Sequence, residues 1–163
     1  MLPVAQVPQT KPDQLQADIA AGAAYLRTPE GGQVRSLFSV GFCFGGALSY
    51  LQAASGIGYA GVIGFYGWPL GFNRWLPDRP RPIDAVDRYR CPVLSIFGGA
   101  DDGIPQSVVD EFDAALRRAG VKHDSTVYPG APHSFFDRKF TEFADASADA
   151  WTRVQSFVRA NTK

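Results

Sequence analysis

With 163 residues, 45% of them apolar and 20% charged, the chain has the composition of one globular domain rather than of a disordered segment. Sixteen basic and sixteen acidic side chains cancel, with no basic stripe or acidic tail, which argues against nucleic-acid and membrane-surface partners. Two cysteines are too few for a disulfide framework, and no apolar run approaches the length of a membrane span. Met1-Leu2-Pro3-Val4 lacks the basic and apolar blocks of a leader peptide, so the expected compartment is the cytoplasm with both thiols free.

In chain order, Leu15, Ile19, Ala23 and Leu26 recur on one face and predict a helix over Asp13–Arg27, stopped by Thr28-Pro29-Glu30-Gly31-Gly32. Val34–Val40 predicts a short strand, apolar on both sides of the alternation. Phe44–Ser55 predicts a helix ended by Gly56 and Gly58, and Ala60–Tyr66 a second buried strand. Trp68–Arg90 holds several prolines and no period, and is expected to be irregular. Pro92–Phe97 predicts a third strand. Ser107–Ala119 predicts an amphipathic helix with Val108, Phe112, Ala115, Leu116 and Ala119 inward. A fourth strand is expected over Asp124–Tyr128 and a long helix from Thr141 to Ala160. Short apolar strands alternating with helices predict an α/β fold, one domain over 1–163 with about four parallel strands flanked by helices. Such sheets place their chemistry at the carboxyl ends of the strands.

Three loops meet that condition. Gly41-Phe42-Cys43-Phe44-Gly45-Gly46 has the pattern of a nucleophile elbow with cysteine as nucleophile. The glycines two before and two after Cys43 are expected to relieve clashes in a tight strand–helix turn. The thiol would sit at a helix N-terminus, whose partial positive charge favours a negative sulfur, with the Phe44 N–H placed for an oxyanion. The alternative is a buried structural cysteine beside packing glycines. In Gly98–Pro105, Asp101 is the first acid after the strand and the better orienter for an imidazole; Asp102 is expected to be a helix N-terminal acid. Tyr128–Phe136 carries His133, which completes the order nucleophile, acid, base. His123 is expected to be solvated and Cys91 structural. The spacings form no zinc site and no phosphate cradle, so neither metal nor cofactor is expected.

GFCFGG at 41–46, FGGADDGIP at 97–105 and YPGAPHSFFDR at 128–138 together resemble the dienelactone hydrolase family of α/β-hydrolases, over about Asp13 to Ala160. The resemblance implies the C-terminal part of that fold and a hydrolase for a small ester, lactone or thioester. It makes Cys43 the nucleophile, His133 the base and then acid, and Asp101 the residue that orients His133. Phe44, Tyr66, Trp68 and Phe135 are the expected substrate-binding residues. Phe72 and Trp75 are candidates for an apolar wall with Trp68, and Arg74, Arg79, Arg81 and Arg88 are expected to be solvated loop residues.

The resemblance also implies an N-terminal segment, with a Glu, a second oxyanion donor and a substrate Arg, before the region that matches Asp13. It implies a further substrate Arg four residues after the histidine, where this chain has Asp137. A carboxylate there would repel an anionic substrate. Without such a segment the Val34–Val40 strand is an apolar edge, which soluble proteins avoid. A fragment or mis-started frame, a homodimer, or another polypeptide supplying the absent part would each account for it. The rival readings are a catalytically silent domain acting through association and a redox sensor built on Cys43; a sensor has no use for His133 and Asp101 in register.

Overall fold

Two strands are sealed on both faces: every residue of β2 (Gly61–Phe65) and of β3 (Val93–Gly98) is buried. A parallel sheet covered by helices requires this, because each strand must be apolar on both sides of its pleat. The computed structural model describes residues 9–71 and 80–163. In chain order the remaining elements are α1 (Pro12–Leu26), β1 (Phe38–Phe42), α2 (Phe44–Gln52), a 3-10 helix (Pro82–Arg88), α3 (Gln106–Arg118), β4 (His123–Tyr128) and α4 (Ala144–Asn161). The sheet order is β1-β2-β3-β4, and every pairing is parallel.

Glycines on β2 locate the helices. Gly61 and Gly64 lie three residues apart on one strand and so face opposite sides of the sheet. A Cβ on Gly61 would stand 2.6 Å from the Phe157 ring of α4, and one on Gly64 would stand 2.3 Å from the Tyr50 ring of α2. Thus α4 covers one face and α2 the other. Tyr50 occupies the space left by Gly64 and donates its hydroxyl to the Gly64 carbonyl at 3.1 Å. Phe112 of α3 packs on the Tyr50 ring, with centroids 5.1 Å apart, which puts α3 on the α2 side.

Several boundaries depart from the sequence expectation. The first strand begins at Phe38, not Val34, and runs through Gly41 and Phe42, which pair with Gly64 and Phe65. Val34 instead donates its N–H to the Leu26 carbonyl, tying it to the end of α1. Val40 of this strand is 47% exposed at the edge of the described sheet. In α3, Val109 takes the buried position expected for Val108. The excursion after Trp68 contains the 3-10 helix, which carries Ala85 and Val86 into the core. His123 is half-buried rather than solvated: Nε2 lies 2.9 Å from an Asp113 carboxylate oxygen and Nδ1 2.7 Å from the Val121 carbonyl oxygen. Arg81 pairs with Asp84 at 2.6 Å. Phe72, Arg74, Trp75 and Arg79 lie outside the described residues. Among those described, no helix is long and apolar enough to cross a membrane.

Candidate active site

One residue makes the corner between β1 and α2. Cys43 has φ 56° and ψ −120°, a backbone conformation that costs a residue with a side chain about 1–3 kcal/mol. Its surroundings impose that conformation. The Cys43 N–H donates to the Phe65 carbonyl at 3.0 Å, and its own carbonyl accepts from the N–H of Gly46 at 2.9 Å and of Ala47 at 3.3 Å. The turn is tight enough that a Cβ on Gly41 would stand 1.8 Å from the Gly45 carbonyl oxygen. The second glycine that the packing needs is Gly46, where a Cβ would stand 2.7 Å from the Phe65 carbonyl oxygen. Gly45, the expected partner of Gly41, has no atom within 4 Å of such a Cβ.

The loops after β3 and β4 are joined through their backbones. Gly99 donates to the Tyr128 carbonyl at 2.8 Å and Ala100 to the Ala131 carbonyl at 2.9 Å. This places Asp101, 6% exposed, beside His133. His133 Nδ1 donates to Asp101 Oδ2 at 2.6 Å, while Oδ1 of the same carboxylate accepts the Gly103 N–H at 3.0 Å. Both carboxylate oxygens are therefore fixed, and with them the plane in which the imidazole must lie. Asp102 is exposed and precedes α3, whose first turn has no acidic residue, so it is not the helix-terminal acid expected.

Aromatic rings hold the imidazole from two other directions. The Tyr66 and Trp68 ring centroids lie 4.9 and 4.7 Å from that of His133. Among the described residues four non-glycine residues have positive φ, and three of them surround this ring: Cys43, Tyr66 at 38° and Ser134 at 61°. Such strain collects where a fold enforces a functional geometry. Nε2 of His133 is buried and, among the described residues, has no hydrogen-bond partner of ordinary geometry. The Cys43 thiol nonetheless lies close enough to raise the proton affinity of the ring.

Burial is the largest single influence on His133 and lowers its pKa. The hydrogen bond to Asp101 and the nearby Cys43 together outweigh it and push the pKa up to about 9. The ring therefore carries its proton at neutral pH. By linkage, a raised histidine pKa stabilises the fold most fully below the ordinary value near 6.5, and that contribution is lost as pH rises through about 9. The His133 ring resonances, followed by NMR, are expected to titrate with a midpoint near 9 in the parent and distinctly lower in Asp101→Asn. A midpoint at the ordinary histidine value in the parent contradicts this account.

Of the other residues singled out in the sequence, Phe44 opens α2 and is half-buried, as is Trp68. Tyr66 and Phe135 are fully buried at 0% exposure; Tyr66 backs the His133 ring, and Phe135 packs behind Tyr66. Their rings pack edge-on, with centroids 5.9 Å apart. Sequence reasoning missed the partner of Tyr66: its hydroxyl donates to Asp137 Oδ1 at 2.9 Å across 71 residues, and no local signal marks that pair. Cys91 is half-buried, and burial pushes its thiol up to about 11, in keeping with a structural role. A groove of about 270 Å³ lies elsewhere, between α1 and α2, and of the expected site residues it includes only Phe44. The convergence of side chains at His133, not the size of a cavity, marks the candidate site.

The dienelactone hydrolase family model matches residues 4–162. The chain is 33% identical over 158 residues to a protein of Methylorubrum extorquens named as a carboxymethylenebutenolidase, covering 96% of this chain and 54% of the relative. It is 34% identical over 157 residues to an Escherichia coli protein of the same name, covering 96% of this chain and 56% of the relative. The chain thus spans about half the length of the curated relatives it matches. A Klebsiella pneumoniae structure described as a dienelactone hydrolase superposes with a TM-score of 0.79 at 29% identity, over 89% of this chain and 60% of that one. A Pyrococcus furiosus esterase superposes with a TM-score of 0.74 at 15% identity, over 93% and 63%, and shares the fold. The architecture is that of the α/β-hydrolases.

Proposed function

Because the chain belongs to the dienelactone hydrolase family, we propose that Cys43, His133 and Asp101 act as a nucleophile, acid–base and orienting group that cleave a small ester, lactone or thioester. The observation that carries the reading is the 2.6 Å hydrogen bond from His133 Nδ1 to Asp101, with Cys43 close enough to act on the same ring and Nε2 unmatched by any other hydrogen-bond partner among the described residues. Asp101 occupies Nδ1, which leaves Nε2 as the nitrogen available to the sulfur.

The chemistry proceeds in two halves. The thiolate of Cys43 adds to the acyl carbon, and the carbonyl electrons move to oxygen, for which by position the first N–H of α2, that of Phe44, is the proposed donor. Collapse breaks the bond to the leaving group, which takes the proton from the His133 imidazolium and departs as alcohol or thiol. The product is a thioester on Cys43 and a neutral His133. Acylation removes the sulfur partner that helped hold the proton on the ring, so His133 is converted into a better-poised base for the second half. It takes a proton from water as the hydroxide adds to the thioester carbon. Collapse then expels the thiolate and releases the acid.

Brief exposure to p-nitrophenyl acetate, followed by acid quench and peptide mass analysis, is expected to find one acetyl group on the peptide that contains Cys43. The mark should be absent from Cys43→Ala. Steady turnover without it, or an acetyl group on Cys91 instead, overturns the assignment.

A further inference from the structure

Tyr66 is a strained residue with no evident reason to be a tyrosine. It directly follows β2 with φ 38° and 0% exposure, and a phenylalanine fills the same core volume. What its hydroxyl adds is a tie to Asp137: it donates to Oδ1 at 2.9 Å and lies against the backbone of the same residue. Burial, and after it Asp137, hold the phenol far above its ordinary range, so the hydroxyl stays protonated and remains a donor.

Asp137 lies four residues beyond His133. Between them the chain turns tightly through Ser134, at φ 61°, whose carbonyl accepts the N–H groups of Arg138 at 3.1 Å and Lys139 at 3.3 Å. That turn brings the otherwise exposed Asp137 back to the end of β2, and the ring of the same Tyr66 lies 4.9 Å from the imidazole. The loop bearing His133 is therefore held at two places by one side chain. The ring bears on the imidazole, and the hydroxyl anchors the far side of the turn.

We propose that the Tyr66 hydroxyl and the Asp137 carboxylate form a latch that fixes the His133 turn against the end of β2, which makes both of them positioning residues for the imidazole. The proposal rests on the reading of His133 as acid–base. Asp101 sets the rotation of the ring, and the latch sets where the ring stands. Displacement of a catalytic group by about 1 Å can cost on the order of a hundredfold in rate, so a tie that touches no substrate can still govern turnover.

The test compares Tyr66→Phe, Asp137→Ala, the double variant and Asp137→Asn, by steady-state kinetics on p-nitrophenyl acetate, amide hydrogen exchange over residues 133–139, and thermal unfolding. Each of the first two is expected to lose about tenfold in kcat with KM within about twofold. The double variant should lose no more than Tyr66→Phe alone, because the hydroxyl is the member shared by every contact of the tie. Asp137→Asn should recover most of the loss, since its amide oxygen can still accept from Tyr66. Exchange in the turn should quicken at least about fivefold in Tyr66→Phe. Losses that multiply in the double variant overturn the latch. So does quickened exchange with kcat unchanged, which would make the tie merely structural. A parent inert toward esters overturns the hydrolase reading and this role with it, whereas an active parent with indifferent variants overturns the role alone.

Discussion

His133→Ala is expected to lower kcat/KM for p-nitrophenyl acetate about a thousandfold or more, and Cys43→Ala to remove both the burst and the turnover. Three decades correspond to roughly 4 kcal/mol of transition-state stabilisation. The size of the effect follows from the geometry. The Asp101 carboxylate is fixed at both oxygens and the imidazole packs against two rings, so no neighbouring side chain can swing in to replace what is removed. Asp101→Asn should cost about a hundredfold or more, because a neutral amide neither stabilises the imidazolium nor enforces the tautomer that leaves Nε2 toward the sulfur. Cys91→Ala serves as the control and should stay within about twofold, since the Cys91 thiol is pushed up to about 11 by burial and lies at the opposite end of β3 from the candidate site. If Cys43→Ala and His133→Ala hydrolyse the ester at the parent rate, the assignment is wrong.

Much of this was legible in the sequence because the signals are local. The alternation of short apolar runs with helical periods marks the four strands and four helices. The elbow motif, the first acid after β3 and the loop histidine each sit directly beyond a strand end, where a parallel sheet brings separate loops to one edge. The misses have the opposite character. β1 begins at Phe38 because Gly41 and Phe42 find partners in Gly64 and Phe65, a register set by β2 and not by the Val34–Val40 run itself. Gly46 is needed in place of Gly45 because the obstructing oxygen belongs to Phe65, outside the motif. His123 is engaged because α3 delivers Asp113 to it. Tyr66 and Asp137 meet only after three strands are in place. In each case the deciding partner lies on another element, ten or more residues away, and only the packing of those elements brings it there.

The elbow makes the sharpest test of that distinction. Gly41→Ala is expected to destabilise the protein by about 3 kcal/mol, the upper end of what overpacking costs, and to lower the melting temperature by roughly 6–12 °C for a chain of this size. The added Cβ would stand 1.8 Å from the Gly45 carbonyl oxygen and 2.2 Å from its carbon. Both are backbone atoms of the first turn of α2, so relief requires α2 to move away from β1. That movement carries Cys43, which is held to Phe65 on β2 by its N–H and to Gly46 and Ala47 by its carbonyl. It should therefore cost ester turnover about a hundredfold even below the melting transition. Gly45→Ala, four residues on in the same motif, meets nothing within 4 Å and replaces a poor helix former in α2 with a good one. Its stability should be unchanged or raised by up to about 1 kcal/mol. Both substitutions add one methyl group to the same six-residue segment, so composition and motif matching treat them alike. A Gly41→Ala protein that melts with the parent, or a Gly45→Ala protein that melts as early as Gly41→Ala, would mean that the corner is not held as described.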